Sequence, residues 1–358
     1  MGGTRQLIGA ATLAMAVALG AAVTAPADTA LWVHGATRGE IPTEDVLRRI
    51  PPGYTLQEVD YPAGLWPWTG LFTATGAQSI AAGVPALDAA IRAAQADGKV
   101  LVIGESLGSM VVDQELRNLA AQADRPDPSQ VEFQVIADPT RPGGLVSYLP
   151  DGWFILLTGT RQQPVAETPY NVTVIKLQYD AVASWPDRPW HLLSVINAIW
   201  GGVVYHGTDH YGYAAQQVIN GEVPPENIST TVNSQGGVTT TYTIQQSPAL
   251  GHLLEPFLPQ SVAFMDRLLT PVINLGYSEL TPDAGPHLAP GGRLVDRDGV
   301  PVFGRMSPAP DEVATHATPR RPVAESPKVR TDRVSARNRD LGALSTGGHL
   351  KDDVRRPR

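Results

Sequence analysis

The chain of 358 residues contains no cysteine, so it has no disulfide framework, no thiolate metal site and no cysteine nucleophile. Any covalent catalysis must use another nucleophile. Charged residues are scarce at 17%, whereas hydrophobic residues make up 42%, which is enough to bury the core of one large domain. Long apolar runs are scarce too, because after the first 27 residues no segment is long or apolar enough to span a bilayer.

Basic residues are few outside the end of the chain. Of the 27 Lys and Arg, 12 fall in residues 305–358 beside 7 Asp and Glu, which leaves 15 basic and 28 acidic residues in residues 1–304. An acidic body argues against a nucleic-acid surface, so we expect no nucleic-acid partner. Residues 305–358 are rich in Pro and Arg without apolar periodicity and are predicted to be a disordered tail, preceded by an extension at residues 279–304.

Residues 1–27 have the three-part layout of a secretory signal peptide. One Arg is followed by an apolar run at residues 7–23 and by small residues that end at Ala27, after which we expect cleavage. The protein is therefore expected to be secreted or associated with the cell envelope. The alternative is an uncleaved membrane anchor, because a run of about 17 residues is near the lower limit for crossing a bilayer.

Strand-like and helix-like segments alternate over residues 28–278. This alternation predicts an α/β domain with a mostly parallel central sheet and flanking helices. Three apolar strands are predicted to end near Ile103, Asp138 and Asp180, and a last strand precedes His252.

The most informative stretch is Gly104-Glu105-Ser106-Leu107-Gly108, between an apolar strand and a helix. In Gly-x-Ser-x-Gly after a parallel strand, the serine occupies a strained turn that lifts its hydroxyl above the carboxyl edge of the sheet. The glycines leave room for close backbones. Ser106 is therefore predicted to be a nucleophile, and the Leu107 amide at the start of the helix is predicted to bind an oxyanion. The alternative is a Gly/Ser turn without chemistry.

A nucleophilic serine needs a carboxylate and a histidine, which follow it in that order in this kind of sheet. Asp138 and Asp180 both end predicted strands. Asp180 is preferred as the acid because its strand is the later one, whereas an Asp-Pro turn is explanation enough for Asp138. Asp187 also stays open.

The base must come from eight histidines. His252 is preferred because it follows the last predicted strand and precedes a helix. His206 and His210 compete with it, and together with Asp209 they also suggest a metal site. Their spacing in a Gly-containing, non-helical segment is a poor ligand set, so we expect no metal and no cofactor.

Two further groups complete the predicted site. The turn after the first strand, "HGATRG", offers Thr37 or the amide of Ala36 as a second oxyanion donor. Residues 181–223 are long for a connection between strands and are interpreted as a helical cap, the alternative being ordinary domain core. The tryptophans expected to form apolar walls of an acyl site under this cap are Trp185, Trp190 and Trp200.

These features resemble the PE-PPE domain hydrolases of mycobacteria and their relatives, which are similar to cutinases within the α/β-hydrolase fold. The resemblance covers about residues 30–277 and rests on "GESLGS", "DPTRPGGL", the "QYD.....P..P..LLS..NA..G" pattern, "YHGTDHYGY", and "HLLEPF" followed by "VINLGY". It implies a triad whose serine falls on Ser106, whose aspartate falls on Asp180 and whose histidine falls on His252. Many members carry a PE or PPE segment before this domain, whereas here a predicted signal peptide leads into it.

Together these features predict a secreted serine esterase or lipase that cleaves carboxylic esters of fatty acyl chains through an acyl-enzyme. The resemblance also implies an alternative, an acyltransferase that moves acyl chains between envelope glycolipids such as acylated trehaloses. A second alternative is a catalytically silent module that binds lipid or the cell envelope. The expected partner is a lipid or fatty-acyl ester, and the sequence does not indicate the oligomeric state.

Overall fold

The computed structural model describes residues 28–36, 43–206, 209–255 and 261–303, so the predicted signal peptide and tail lie outside the described residues. The described strands are β1 (Asp28–Val33), β2 (Tyr54–Glu58), β3 (Val100–Glu105), β4 (Val131–Ile136), β5 (Phe154–Ile155), β6 (Thr160–Arg161), β7 (Val172–Leu177), β8 (Ile228–Val232), β9 (Val238–Ile244), β10 (His287–Ala289) and β11 (Arg293–Val295). The described α-helices are α1 (Thr43–Leu47), α2 (Gly76–Ala94), α3 (Leu107–Ala121), α4 (Leu192–Val204), α5 (Asp209–Ile219) and α6 (Val262–Asn274).

A seven-stranded sheet in the order β2-β1-β3-β4-β7-β9-β8 forms the centre of the domain. Within the described part of this sheet, β8 at the edge is antiparallel to its neighbour, and the other pairs are parallel. β3 is buried along its whole length, as expected for a sheet covered on both faces. The predicted α/β-hydrolase fold, with a mostly parallel sheet and flanking helices, is confirmed. The edge strand β8 was not anticipated from the sequence.

Apolar side chains fill both faces of the sheet because successive strand residues point to opposite sides. On one face, Val102 and Val135 belong to the core beneath α2 and α3. On the other face, Ile103 and Ile136 belong to a second core that includes residues of α5. The two layers fix the central strands, and therefore the position of the residues that follow them.

The connections that follow β1 and β3 run toward opposite sides of the sheet, and this reversal places a crevice between the two strands at the carboxyl edge. β2 lies on one side of β1 and β3 lies on the other. In open parallel sheets, ligands bind at such a switch point. Gly35 after β1 and Ser106 after β3 both lie here, since a Cβ added to Gly35 would be 3.1 Å from the Ser106 Cβ.

The segment interpreted as a helical cap is placed differently. α5 packs on β7 and buries Tyr211, Ala214 and Ala215 in the core, so it is a flanking helix of the sheet and not a cap. α4 packs against α6 and against a 3-10 turn at Ala249–Leu254. Across the described ranges, no helix is both long enough and apolar enough to cross a membrane.

Residues 279–303 pack onto the rest of the domain. The guanidinium of Arg188 is fully buried and donates hydrogen bonds to the main-chain oxygens of Gly285 and Pro286 and to the Thr281 hydroxyl. A buried charge requires such acceptors. The stretch predicted to be an extension therefore belongs to the same packed unit.

Candidate active site

Ser106 occupies a strained turn between β3 and α3. Its φ of 53° and ψ of −113° lie outside the regions that non-glycine residues usually adopt. Close packing requires the flanking glycines: a Cβ on Gly108 would overlap the carbonyl oxygen of Val33, and a Cβ on Gly104 would lie 2.6 Å from a methyl of Val112. The turn holds the Ser106 hydroxyl at the carboxyl edge of the sheet.

Three side chains are joined in series at this edge. Ser106 Oγ lies 2.9 Å from Nε2 of His206, and His206 Nδ1 lies 3.0 Å from Oδ2 of Asp180. Asp180 follows β7 and is fully buried, and its Oδ1 accepts a hydrogen bond from the Val182 amide. Its Oδ2 also accepts a hydrogen bond of 2.6 Å from the Tyr211 hydroxyl. A hydroxyl, an imidazole and a carboxylate in this order can make the serine a nucleophile.

The histidine preferred from the sequence, His252, lies elsewhere. It lies in the 3-10 turn at Ala249–Leu254, and its Nδ1 is 2.7 Å from Oε2 of Glu255, the residue that follows the turn. Its ring contacts the ring of Tyr205. The choice of His252 is therefore wrong for the position beside Ser106, which the competing His206 occupies. The physical reason is that the segment between α4 and α5, and not the segment after β9, reaches the serine.

α4 brings His206 to this position through a close contact between backbones. A Cβ on Gly201 would overlap the carbonyl oxygen of Tyr179, and a Cβ on Gly202 would lie 2.9 Å from that of Ala181. His206 follows two residues after the end of α4. The glycine pair within an apolar helix, four residues before a histidine, is the sequence signal for this arrangement, because glycine inside a helix marks a packing requirement.

The surroundings of His206 raise its pKa above the ordinary value of a histidine in water. Burial lowers the pKa of His206, but the Asp180 carboxylate and the hydrogen bond to it raise the pKa by more, and Glu105 adds to the rise. Glu105 is buried and accepts a hydrogen bond of 2.6 Å from Arg49, whose guanidinium lies over the Trp32 ring. A buried ion pair therefore adjoins the nucleophile in the chain.

The amide of Leu107 is the first of α3, and the first amides of a helix have no carbonyl partner within it. It follows Ser106 at the positive end of the helix dipole, where a developing negative charge is stabilised. Thr37, the preferred second donor, lies outside the described residues. Ala36, the alternative, packs against the core just after β1.

The two alternative acids have other partners. Oδ1 of Asp138 accepts hydrogen bonds of 2.7 Å from the amide and hydroxyl of Thr140, and Oδ2 lies 3.8 Å from Arg141. Asp187 accepts hydrogen bonds from the amide and hydroxyl of Ser278. The Asp138 carboxylate thus holds a local turn, whereas the Asp187 carboxylate holds a segment that lies far along the chain. No group of three or more His, Asp or Glu side chains in the described part of the chain is placed to bind a metal ion.

The three tryptophans predicted to wall an acyl site have different surroundings. Trp185 lines a cavity of about 280 Å³ with Lys176 and Glu279, and the linked serine, histidine and aspartate are not among its described lining residues. Trp200 packs against the core on the α5 side of the sheet, whereas Trp190 is half exposed. None of these contacts joins a tryptophan to Ser106 in the described part of the chain, so their role as walls of an acyl site stays a prediction.

Comparisons with known proteins find relatives in mycobacteria. The PE-PPE domain family model matches residues 52–278, which confirms the resemblance. The uncharacterized PPE family protein PPE63 of Mycobacterium tuberculosis is 39% identical over 246 residues, or 67% of this chain and 49% of that protein. The chain therefore spans about half the length of this relative.

Two further relatives from Mycobacterium tuberculosis have names that state an activity. SL1278 acyltransferase Chp1 is 33% identical over 328 residues, or 84% of this chain and 76% of that protein. Esterase PE16 is 31% identical over 236 residues, or 63% of this chain and 42% of that protein. Among solved structures, an acetylxylan esterase matches with a TM-score of 0.34 and 17% identity, over 55% of this chain and 99% of that one.

Proposed function

The chain belongs to the PE-PPE domain family, and we propose that it is a secreted serine esterase acting on fatty acyl esters, with Ser106, His206 and Asp180 as its catalytic triad. The observation that carries this proposal is the pair of hydrogen bonds, 2.9 and 3.0 Å long, that joins hydroxyl, imidazole and buried carboxylate. The names of an esterase and an acyltransferase among the relatives support chemistry on esters.

In the proposed mechanism, His206 Nε2 takes the proton of Ser106 Oγ as that oxygen attacks the carbonyl carbon of the ester. The Leu107 amide donates a hydrogen bond to the resulting oxyanion. The bond from this carbon to the alcohol oxygen then breaks, and His206 gives its proton to the departing alcohol. Asp180 accepts the hydrogen bond from His206 Nδ1 and stabilises the imidazolium.

Water completes the proposed cycle. It gives a proton to His206 and attacks the acyl carbon, which forms the carbon–oxygen bond of the free acid. The bond to Ser106 Oγ then breaks, and His206 returns the proton to this oxygen. The enzyme is restored without a cofactor.

Acyl transfer is a second candidate because SL1278 acyltransferase Chp1 aligns with 84% of this chain. A transferase would form the same acyl-enzyme, but a sugar hydroxyl would attack it in place of water. Diacyltrehalose acyltransferase Chp2 of Mycobacterium tuberculosis, 33% identical over 241 residues, suggests trehalose as the acceptor to test. Incubation of an acyl donor with trehalose would yield acylated sugar from a transferase and only free acid from an esterase.

The test of the triad is hydrolysis of nitrophenyl esters of graded chain length by the full chain. Ser106→Ala and His206→Ala are each expected to lower kcat by at least about 10³-fold, whereas the control His252→Ala should change it by less than about threefold. Equal activity of wild type and Ser106→Ala would contradict the nucleophile. Loss in His252→Ala with retention in His206→Ala would return the base to His252.

A serine-directed phosphonate separates an enzyme from a silent module. The reagent is expected to label wild type at Ser106 and to leave Ser106→Ala unlabelled, because it reacts only with an activated hydroxyl. A wild-type protein that neither hydrolyses esters nor takes the label would instead favour a lipid-binding module without catalysis.

Export by residues 1–27 is also part of the proposal. It is supported by the basic residue, the apolar run and the small residues before Asp28. Sequencing the N-terminus of the protein from the medium and envelope of a mycobacterial host should give a chain that begins at Asp28. An intact N-terminus in the envelope fraction would favour the uncleaved anchor.

A further inference from the structure

Two loops carry a group of exposed apolar side chains. They lie in residues 66–72 and 153–157, here called the loop patch, and they include Trp66, Trp68, Leu71, Phe72, Trp153 and Leu156. Phe72 is fully exposed, and Leu156 is 87% exposed. Contiguous apolar surface of this kind marks an interaction site.

The loop patch lies on the edge of the sheet that holds Ser106. Residues 66–72 lie between the carboxyl end of β2 and the start of α2, and residues 153–157 lie in the segment that follows β4. The two segments end next to each other, because a Cβ on Gly76, the first residue of α2, would lie only 2.8 Å from the Cα of Thr158, which follows residue 157. They therefore form one surface on the same side of the sheet as the proposed triad.

The loop patch is uncharged. No Asp, Glu, Lys or Arg occurs in residues 61–87 or in residues 152–160. Interfaces between proteins usually have a polar rim around an apolar centre. Arg161, opposite Phe154 in the β5–β6 hairpin, lies at the border of this surface. The uncharged residues within that border match hydrocarbon, since transfer of a charge into hydrocarbon is strongly unfavourable.

Three hydrogen bonds pair polar groups of the loop patch with groups in it or next to it. The Trp66 amide donates to the Ala74 oxygen and its indole Nε1 to the Leu71 oxygen. In the second loop the Gly159 amide donates to the Ile155 oxygen. Backbone groups that are paired internally can enter a lipid layer without losing hydrogen bonds to water.

We propose that the loop patch docks the protein on an uncharged lipid surface. Three of the seven tryptophans of the chain lie in it, and the tryptophan ring, with its apolar body and single N–H, favours the boundary between hydrocarbon and water. Docking through this patch turns the edge with Ser106 toward the lipid. An ester can then reach the site from the lipid layer, while docking itself does not require chemistry at Ser106.

The test measures binding of the full chain to phosphatidylcholine vesicles by flotation. The variant Phe72→Ser with Leu156→Ser removes two exposed side chains of the loop patch. The matched control, Val232→Ser with Val300→Ser, removes two exposed side chains outside it, and Val232 pairs with the start of β9 at the opposite edge of the sheet. The partition coefficient should fall at least about tenfold for the first pair and change less than about twofold for the control.

Hydrogen exchange shows which residues contact the vesicle. Any other lipid-binding part of the chain is present in all variants, so differences in binding between them do not locate it. Vesicles should slow amide exchange in residues 66–72 and 153–157 but not in the β8–β9 hairpin. Equal binding by both pairs without such protection would overturn the proposal. Protection that appears with rising protein concentration alone, together with a dimer in sedimentation, would assign the patch to a second copy of the chain.

The Ser106→Ala variant keeps this test separate from the proposed enzyme function. It should bind vesicles as wild type does, since the loop patch is unchanged. A protein that binds vesicles but hydrolyses no ester would retain the docking proposal and lose the esterase. A protein that hydrolyses dissolved short esters but does not bind vesicles would retain the esterase proposal and overturn the docking proposal.

Discussion

Asp138 and Asp180 follow the neighbouring strands β4 and β7 and share two features of the local backbone. Each comes after a residue with positive φ, which is Ala137 at 56° in one case and Tyr179 at 67° in the other. Both carboxylates are buried. In each, Oδ1 accepts a hydrogen bond from the amide two residues ahead, the pattern of an Asx-turn.

The second carboxylate oxygen distinguishes the two residues. Oδ2 of Asp180 accepts hydrogen bonds from His206 and Tyr211. Oδ2 of Asp138 has no hydrogen-bond partner among the described residues and lies 3.8 Å from Arg141, which pairs mainly with Asp113. The strand end therefore supplies a buried carboxylate in both places, and the elements that pack against it decide whether that carboxylate takes part in chemistry.

The largest expected difference between the two aspartates is in catalysis. Asp180→Asn keeps the shape of the side chain but removes the charge that orients His206, so kcat on a nitrophenyl ester should fall by about 10³- to 10⁴-fold. The matched variant Asp138→Asn should change kcat by less than about threefold. Equal losses would show that both carboxylates serve the reaction.

The pH profile should also separate them. Burial lowers the pKa of His206, but Asp180 and Glu105 raise it by more. The value of kcat/KM should therefore fall as the pH drops through a midpoint above about 6.5, since the protonated imidazole cannot accept the serine proton. Asp138→Asn should leave this midpoint unchanged. A wild-type midpoint below that of free histidine would contradict the electrostatic argument.

Tyr211→Phe tests a smaller part of the comparison, the second hydrogen bond to Oδ2 of Asp180. The ring fills the same volume, so the core is kept, but the oxygen loses one donor. The expected result is a fall in kcat of about three- to tenfold, from the value of a hydrogen bond to a charged group. The acid midpoint should rise, because more negative charge on Oδ2 remains for His206. An unchanged midpoint would give Tyr211 a structural role only.

The smallest expected effect concerns stability at Asp138. Burial, reinforced by the charge of Asp113, raises the pKa of Asp138 to about 7. The folded state then keeps a proton that the unfolded state releases, so this contribution to stability is complete below the usual pKa of about 4 and is lost as the pH rises through the raised pKa.

Urea unfolding of wild type and Asp138→Asn at about pH 5 and about pH 8 measures this loss, which should be greater in wild type by about 1 to 2 kcal/mol. The variant lacks the titrating proton, so its free energy of unfolding should change less over this range. Parallel pH dependence of the two proteins would contradict a raised pKa at Asp138.

The central sheet could be predicted from the sequence because its strands carry strong local signals. β3 is apolar at nearly every position and runs directly into the Gly-x-Ser-x-Gly turn, so strand, turn and helix are all apparent. β8 has no such signal, since four of its five residues are exposed at the edge of the sheet. Its pairing depends on β9 and not on an apolar pattern of its own.

The base could not be chosen from chain order alone. His206 and His252 both follow Asp180, so both satisfy the order of serine, acid and base. The choice depends on how α4 packs on the turn after β7, and this contact is a tertiary one made at Gly201. The tryptophan walls stay a prediction for a similar reason, because apolar composition does not say which surface each residue of a long segment will face.

The hydrogen bonds of Arg188 determine how far an expressed chain must extend. The family match stops at residue 278, yet the acceptors of this buried guanidinium include Thr281, Gly285 and Pro286. A product that ends at residue 278 would keep the cation and the Leu275 oxygen but lose these three acceptors, a change that is strongly destabilising inside a protein. The family match also begins at residue 52, after β1, so an expressed chain should include β1 at one end and the β10–β11 hairpin at the other.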